Sequence, residues 1–168
     1  LTGASGRIGR RLVDGLDDMF DDDVHVDLLK HNTEPQKTDR PNTRVIQGLN
    51  GEYDLAIHFG ANSIVGYCEK RENRVEVEES NVGLTRRICE ASNKVIFAST
   101  DQVFKGAFTD PDYKETDPIN PHSVYGETKA MGEEIVRQHC GAIVRLDAVF
   151  GVDNKIFEHG GFVNPKSS

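Results

Sequence analysis

Apolar positions along the chain alternate between two periods. Ile8, Leu12, Val13 and Leu16 share one face at helical spacing, and residues 24–29 follow as a short apolar run of strand type. Polar residues over 32–42, with Pro35 and Pro41, predict a loop. Apolar and β-branched clusters between turn signals predict further strands at 44–47, 54–59, 94–99 and 142–146. Helices fit the gaps. One is predicted over roughly 78–92, with Val82, Ile88 and Ala91 inward. Another is predicted over about 121–139, with Asn120 as its cap, Pro121 at its first position and Gly141 at its end. Strands alternating with helices predict an α/β fold with a mainly parallel sheet.

Candidate chemistry sits at the joints of this pattern. Gly3, Gly6 and Gly9 follow Gly-x-x-Gly-x-x-Gly at the start of the first helix. Missing side chains there let backbone approach a pyrophosphate at a helix N-terminus, although the same pattern also describes a turn that merely needs positive φ. Asp27, near the end of the next strand, stands about where an acidic residue bonds adenosine ribose hydroxyls and repels a 2′-phosphate. That predicts NAD as cofactor, with Lys30 and His31 close enough to keep NADP as the alternative. Tyr125 and Lys129 lie four residues apart, on one helical face, and Thr100 comes just after a predicted strand. A tyrosine with an ordinary pKa of about 10 needs a fixed positive charge beside it to shuttle protons at neutral pH, and Lys129 can supply it. His58 lies within a strand and reads as a packed or capping residue rather than a metal ligand.

Composition narrows the alternatives. With 168 residues the chain is long enough for one well-buried domain. A net charge of −8, with a dense run at Asp17, Asp18, Asp21, Asp22 and Asp23, excludes a nucleic-acid footprint. The run lacks the glycine and terminal glutamate of an EF-hand loop and reads as a solvated turn. Apolar stretches are too short for a membrane span, so no membrane partner is expected. Cys68, Cys89 and Cys140 have neither metal spacing nor an even count, which suits a reducing cytoplasm. The chain opens at Leu1 with the glycine loop immediately after it, so a fragment is expected.

Taken together, Thr2-Gly-Ala-Ser-Gly-Arg-Ile-Gly9, Asp54-Leu-Ala-Ile-His-Phe-Gly-Ala61, Ser99-Thr-Asp-Gln-Val-Phe-Lys-Gly106 and Tyr125-Gly-Glu-Thr-Lys129 resemble the extended short-chain dehydrogenase/reductase family. Its members are NAD(P)-dependent sugar-nucleotide epimerases, dehydratases and reductases, and the motifs here are most similar to those of dTDP-4-dehydrorhamnose reductases. Similar motifs occur in the regulatory subunit of methionine adenosyltransferase, so a cofactor-binding subunit without turnover is the second reading.

The resemblance implies a Rossmann-type doubly wound parallel sheet. It implies an NAD(P)-binding domain over 1–151 and the start of a truncated substrate-binding region over 152–168. The first strand and the C-terminal substrate lobe are expected to be missing, and the segment alone is expected to be poorly folded and inactive. By the same resemblance Thr100 is the catalytic hydroxyl, Tyr125 the acid/base, and Lys129 the ribose ligand that also lowers the tyrosine pKa. Gly3, Ser5, Gly6, Arg7, Ile8 and Gly9 form the pyrophosphate loop, and Asp27 matches the ribose acid. Gly60 and Ala61 line the cofactor, and Ala98 and Ser99 lead to the nicotinamide side. The implied substrate is a nucleotide sugar. Relatives often dimerise through a helix pair, which makes a homodimer one option. The chain departs from the family at Gly48-Leu49, where an aspartate near adenine is usual. Its 48–53 stretch is too short for the usual helix before the fourth strand, and Asp101-Gln102 replaces the acidic pair that commonly follows the threonine in dehydratases.

Overall fold

The computed structural model describes residues 1–30, 35, 38–106 and 113–147, so His31 and the expected region 152–168 lie outside the described residues. Helix α1 (Arg7–Asp14) stops at Gly15 and is followed by the single turn α2 (Leu16–Met19). Strands β1 (Val26–Leu29), β2 (Thr43–Ile46) and β3 (Tyr53–His58) come next, with no helix between β2 and β3. The short α3 (Val65–Cys68) leads to α4 (Arg74–Glu78), a π turn (Glu79–Gly83) and α5 (Leu84–Glu90). Strand β4 (Ser92–Thr100), α6 (Val124–Gln138) and β5 (Ala142–Leu146) complete the order.

All strand pairs are parallel: β1 with β2, and β3 with β4 and β5. Thr2 bridges both groups, pairing with Leu29 on one side and His58 on the other. Its amide donates to the Ile57 carbonyl at 3.0 Å, and Leu29 donates to the Leu1 carbonyl at 2.9 Å. The lateral order is therefore β2, β1, Thr2, β3, β4, β5, with the position before the glycine loop at the centre, as in a doubly wound dinucleotide-binding sheet. On the other side of Leu1, a cleft of about 810 Å³ opens between β1 and β3, lined by Leu12, Leu16, Val26, Leu55 and Ile57 among others.

Two apolar clusters pack on this sheet. Ala4, Val13, Leu16, Val26 and Leu28 join α1 and α2 to β1. Ala56, Leu84, Ile88, Cys89, Val95, Phe97 and Val136 join β3 and β4 to α5 and α6. Fully burying a side chain of this kind contributes about 1.5–3 kcal/mol, so these clusters fix which helix faces meet the sheet. The dense acidic run lies over an ion pair: Arg40, 5 % exposed, bonds Asp17 at 2.9 Å, while the Asp17 and Asp22 carboxylates stay in solvent.

Most strand boundaries fall within a residue or two of the sequence expectation, and β5 coincides with it. Both long helices differ. The first helical stretch begins at Arg74 rather than 78, and its π turn inserts an extra residue that moves the inward position to Asn81, 2 % exposed, leaving Val82 and Ala91 half-buried. Helix α6 begins at Val124. Ser123, not Asn120, is its cap, accepting from the Gly126 amide at 3.0 Å, and Pro121 precedes the helix. At the other end Cys140, not Gly141, takes the left-handed position at φ 54, and the Gly141 amide closes the turn onto Val136 at 2.9 Å.

Candidate active site

Parallel pairing brings the segments after Thr2, His58 and Ser99 to one edge of the sheet, the edge at which ligands bind in open α/β folds. The glycine loop there is shaped by missing side chains. Gly3 has φ +70, and a Cβ on it would lie 2.7 Å from the Phe59 carbonyl carbon and 2.8 Å from the Gly60 nitrogen. A Cβ on Gly9 would overlap the Gly3 carbonyl oxygen, and one on Gly60 would lie 2.9 Å from Thr2 Oγ1. Gly6 caps α1 and has no side chain with which to cover the amides of its first turn. Those amides and the helix dipole form a cradle suited to a diphosphate. Ser5 and Ile8 are half-buried around the cradle and Arg7 is exposed; Ala61 is half-buried in the turn beside it.

A neutral histidine anchors this cradle. His58 is fully buried, with Nδ1 2.6 Å from Thr2 Oγ1 and Nε2 3.0 Å from Thr85 Oγ1. The Thr85 hydroxyl donates to the Asn81 carbonyl at 2.6 Å, so it accepts from the histidine; Nε2 carries the proton, and Nδ1 accepts from Thr2. Thr2 Oγ1 in turn accepts from the Gly60 amide at 2.9 Å. Burial, with positive charge at Lys129 and at the N-terminus, pushes the His58 pKa down to about 3. The sequence reading of a packed, hydrogen-bonded histidine fits this geometry.

The second half of the edge carries the Thr100, Tyr125 and Lys129 group. Thr100 ends β4, caps the following 3-10 turn (Asp101–Val103) and donates to the Asp101 carboxylate at 2.9 Å. The start of α6 presses on that turn. A Cβ on Gly126 would overlap the Gln102 carbonyl oxygen, and Ser123 Oγ donates to Gln102 Oε1 at 3.2 Å. The Glu69 carboxylate accepts from the Val124 amide at 2.7 Å, so α3 helps to hold α6 in place. Tyr125 is half-buried, and burial, reinforced by Cys68 and Asp101, raises its pKa to about 12. This is opposite to the lowering expected from Lys129, because burial disfavours the phenolate and Cys68 and Asp101 disfavour it further. Lys129 is 3 % exposed with Nζ 3.9 Å from the Phe97 ring centroid, and burial, opposed by Glu133, lowers its pKa to about 7.

Asp27 is held elsewhere than the expected ribose contact. Asp27 lies two positions before the end of β1, level with Arg44 on β2, which clamps its carboxylate through both oxygens at 2.7 and 3.0 Å. That ion pair holds the Asp27 pKa below its usual value. Since Thr2 is level with Leu29, the glycine loop is nearest to Lys30, so the structure does not bring Asp27 to the cradle. Ser99 is 4 % exposed and donates inward to Glu133 at 2.6 Å; Ala98 is likewise buried.

Sequence reasoning gave Asn81 no role in the site and missed Glu133. Asn81 accepts from the Asn62 amide at 2.7 Å, and it donates to the Asn62 carbonyl at 3.1 Å and to Thr128 on α6 at 3.0 Å. It thereby ties the turn after Gly60 to the Tyr125 helix. Glu133 could have been found by continuing the four-residue spacing of Tyr125 and Lys129 one turn further. Among the described residues no group of histidine, cysteine and acidic side chains is placed to hold a metal. No helix among them is long and apolar enough to cross a membrane.

Comparison with known proteins places this geometry. The spore coat polysaccharide biosynthesis protein SpsK of Bacillus subtilis is 28 % identical over 168 residues, covering 96 % of this chain and 54 % of that protein. The dTDP-4-dehydrorhamnose reductase of Shigella flexneri is 35 % identical over 91 residues, 52 % of this chain and 29 % of the reductase. Methionine adenosyltransferase 2 subunit beta of Danio rerio is 33 % identical over 106 residues, 56 % of this chain and 32 % of that subunit. Among solved structures, MoeE5 in complex with UDP-glucuronic acid and NAD superposes with a TM-score of 0.70 at 26 % identity, covering 87 % of this chain and 52 % of MoeE5. The chain thus spans about half the length of SpsK and of MoeE5. Residues 1–160 match the family described as the RmlD substrate binding domain, and the chain belongs to that family.

Proposed function

We propose that this chain carries the NAD(H)-binding and proton-transfer half of an enzyme that reduces, or reversibly oxidises, a nucleotide-linked sugar. The observation that carries this reading is the meeting of the glycine cradle with Thr100, Tyr125 and Lys129 at one edge of the parallel sheet. The cradle fits a dinucleotide, because added Cβ atoms at Gly3, Gly9 and Gly60 would collide with its own backbone or with Thr2. Gly6 and the first-turn amides of α1 would hold the diphosphate, with Lys129 at the nearer ribose. NADP(H) remains the alternative, since Asp27 is engaged by Arg44 and Lys30 follows β1.

A nicotinamide cofactor held there would supply hydride to the sugar carbonyl carbon. Tyr125 then gives its phenolic proton to the carbonyl oxygen, producing the alcohol. With a pKa of about 12 the phenol keeps its proton at neutral pH, which suits donation in the direction of reduction. The Thr100 hydroxyl, turned from Asp101 toward the substrate, donates to the same oxygen. Lys129, once charged, stabilises the phenolate until solvent returns the proton. With Asp101 followed by Gln102 there is no acidic pair for dehydration beside Thr100. The similarity to methionine adenosyltransferase 2 subunit beta supports a second reading, a cofactor-binding subunit without turnover. Incubation of the full-length protein with a panel of nucleotide-linked 4-keto sugars and NADH or NADPH separates the two. Cofactor oxidation with any of them supports the enzyme, and saturable cofactor binding without oxidation supports the subunit.

A further inference from the structure

Glu133 is fully buried, yet it carries four hydrogen bonds on one carboxylate. Oε1 accepts from Ser99 Oγ at 2.6 Å and from Arg145 Nε at 2.8 Å, and Oε2 accepts from Arg145 at 2.7 Å and Arg137 at 2.6 Å. Those bonds hold its pKa below the ordinary glutamate value despite burial. Ser99 and Arg145 come from two neighbouring strands, and Arg137 from the same helix one turn on. Ser99 immediately precedes Thr100 on β4, and Arg145 is its register partner on β5. Arg145 also donates to the Glu115 carbonyl at 3.0 Å and lies 4.8 Å from the Phe104 ring centroid, just past Thr100. Glu133 itself is one helical turn beyond Lys129.

We infer that Glu133 is a positioning residue: its carboxylate pins the Ser99–Thr100 strand end and Arg145 against the face of α6 that carries Lys129, holding Thr100 and Lys129 in one fixed relation. This rests on the proposed oxidoreductase reading for its consequence, but not for its geometry. A buried ion pair is weak evidence for stability, because apolar side chains of similar volume often replace one without loss. A satisfied network is better understood as specifying one arrangement. Lys129 also depends on it electrostatically. Its ammonium faces the Phe97 ring from β4 and neutral His58 from β3, with Tyr125 and Glu133 on its own helix, and Glu133 is the charge that favours its protonated form.

The test compares Glu133→Gln with the double variant Glu133→Leu/Arg145→Met, which replaces both members of the pair and guards against a folding failure of the single one. Three measurements are made on each: thermal unfolding, NADH affinity by nicotinamide fluorescence, and the pH titration of the Lys129 side chain by NMR. The expected result is a double variant that unfolds near the unsubstituted temperature but binds NADH about tenfold more weakly, the equivalent of one charge-assisted hydrogen bond. In both variants the Lys129 titration moves to lower pH. A folded double variant with unchanged NADH affinity and an unchanged Lys129 titration would overturn the inference and leave the network purely structural. If the unsubstituted protein fails to bind NADH or NADPH, the functional reading falls instead, and the Lys129 titration still decides the role of Glu133.

Discussion

Acid should destabilise this protein through His58 in a way that can be measured in isolation. The imidazole is fully buried, its Nδ1 accepts from Thr2, and a second proton would have to displace that bond in a site already facing Lys129. The native pKa of about 3 lies well below the ordinary 6.5, so between those values the unfolded chain binds a proton that the folded chain refuses. Stability therefore falls as pH drops through this window, by up to about 1.4 kcal/mol per pH unit from this one group. Over the whole window the loss is roughly 4–5 kcal/mol, comparable with the low end of total domain stability. The assay is urea unfolding at several pH values across the window, on the unsubstituted protein and on His58→Gln. Glutamine can accept from Thr2 and donate to Thr85 without titrating, so carboxylate contributions cancel in the difference. The variant should start less stable at neutral pH and lose stability more slowly on acidification. Equal slopes in the two proteins would show that His58 takes up its proton in the folded state and would refute the reasoning.

Lys129→Met should raise stability at neutral pH by a few kcal/mol, because the native pKa of about 7 against 10.5 unfolded means that folding strips a proton from this lysine. The advantage should fade as pH rises towards 10.5, whereas NADH affinity, read by fluorescence titration, should be lost at every pH. Gly126→Ala places a Cβ on the Gln102 carbonyl oxygen and 3.0 Å from Pro121 Cβ. It should cost about 1–3 kcal/mol in thermal unfolding and about 100-fold in turnover, since Tyr125 shifts relative to Thr100. Asp27→Ala should leave the ratio of NADH to NADPH affinity unchanged by calorimetry, because the carboxylate is held by Arg44 away from the cradle; a marked gain for NADPH would restore its role at the ribose.

Legibility in the sequence followed the range of the interaction. The glycine loop and the Tyr125–Lys129 spacing are local patterns, and the loop opens α1 while Tyr125 and Lys129 fall on α6. β5 was readable to the residue because Ala142–Leu146 is an apolar run between clear turns. The start of α6 was not. Asn120 and Pro121 make a plausible local cap, but Ser123 wins because Glu69, more than fifty residues earlier in the chain, engages Val124 and because Gly126 lets the helix seat on Gln102. The inward position of Asn81 depends on a π turn that periodicity does not reveal. Asp27 looked like a strand-end acid because its cross-strand partner, Arg44, is visible only once β1 and β2 are paired. Glu133 stands one helical turn past Lys129 on α6, and only the packing of β4 and β5 against α6 turns it into a buried junction.

The proton-transfer role of Tyr125 is tested most directly by Tyr125→Phe in the full-length protein, measured with the best substrate from the nucleotide-linked 4-keto sugar panel. NADH binding should stay close to that of the unsubstituted protein, because the ring remains and only the hydroxyl is lost, while cofactor oxidation should fall at least as far as removal of a general acid implies, about 100- to 10,000-fold. Turnover by Tyr125→Phe at the unsubstituted rate across the pH range would contradict the assignment of the proton to this residue.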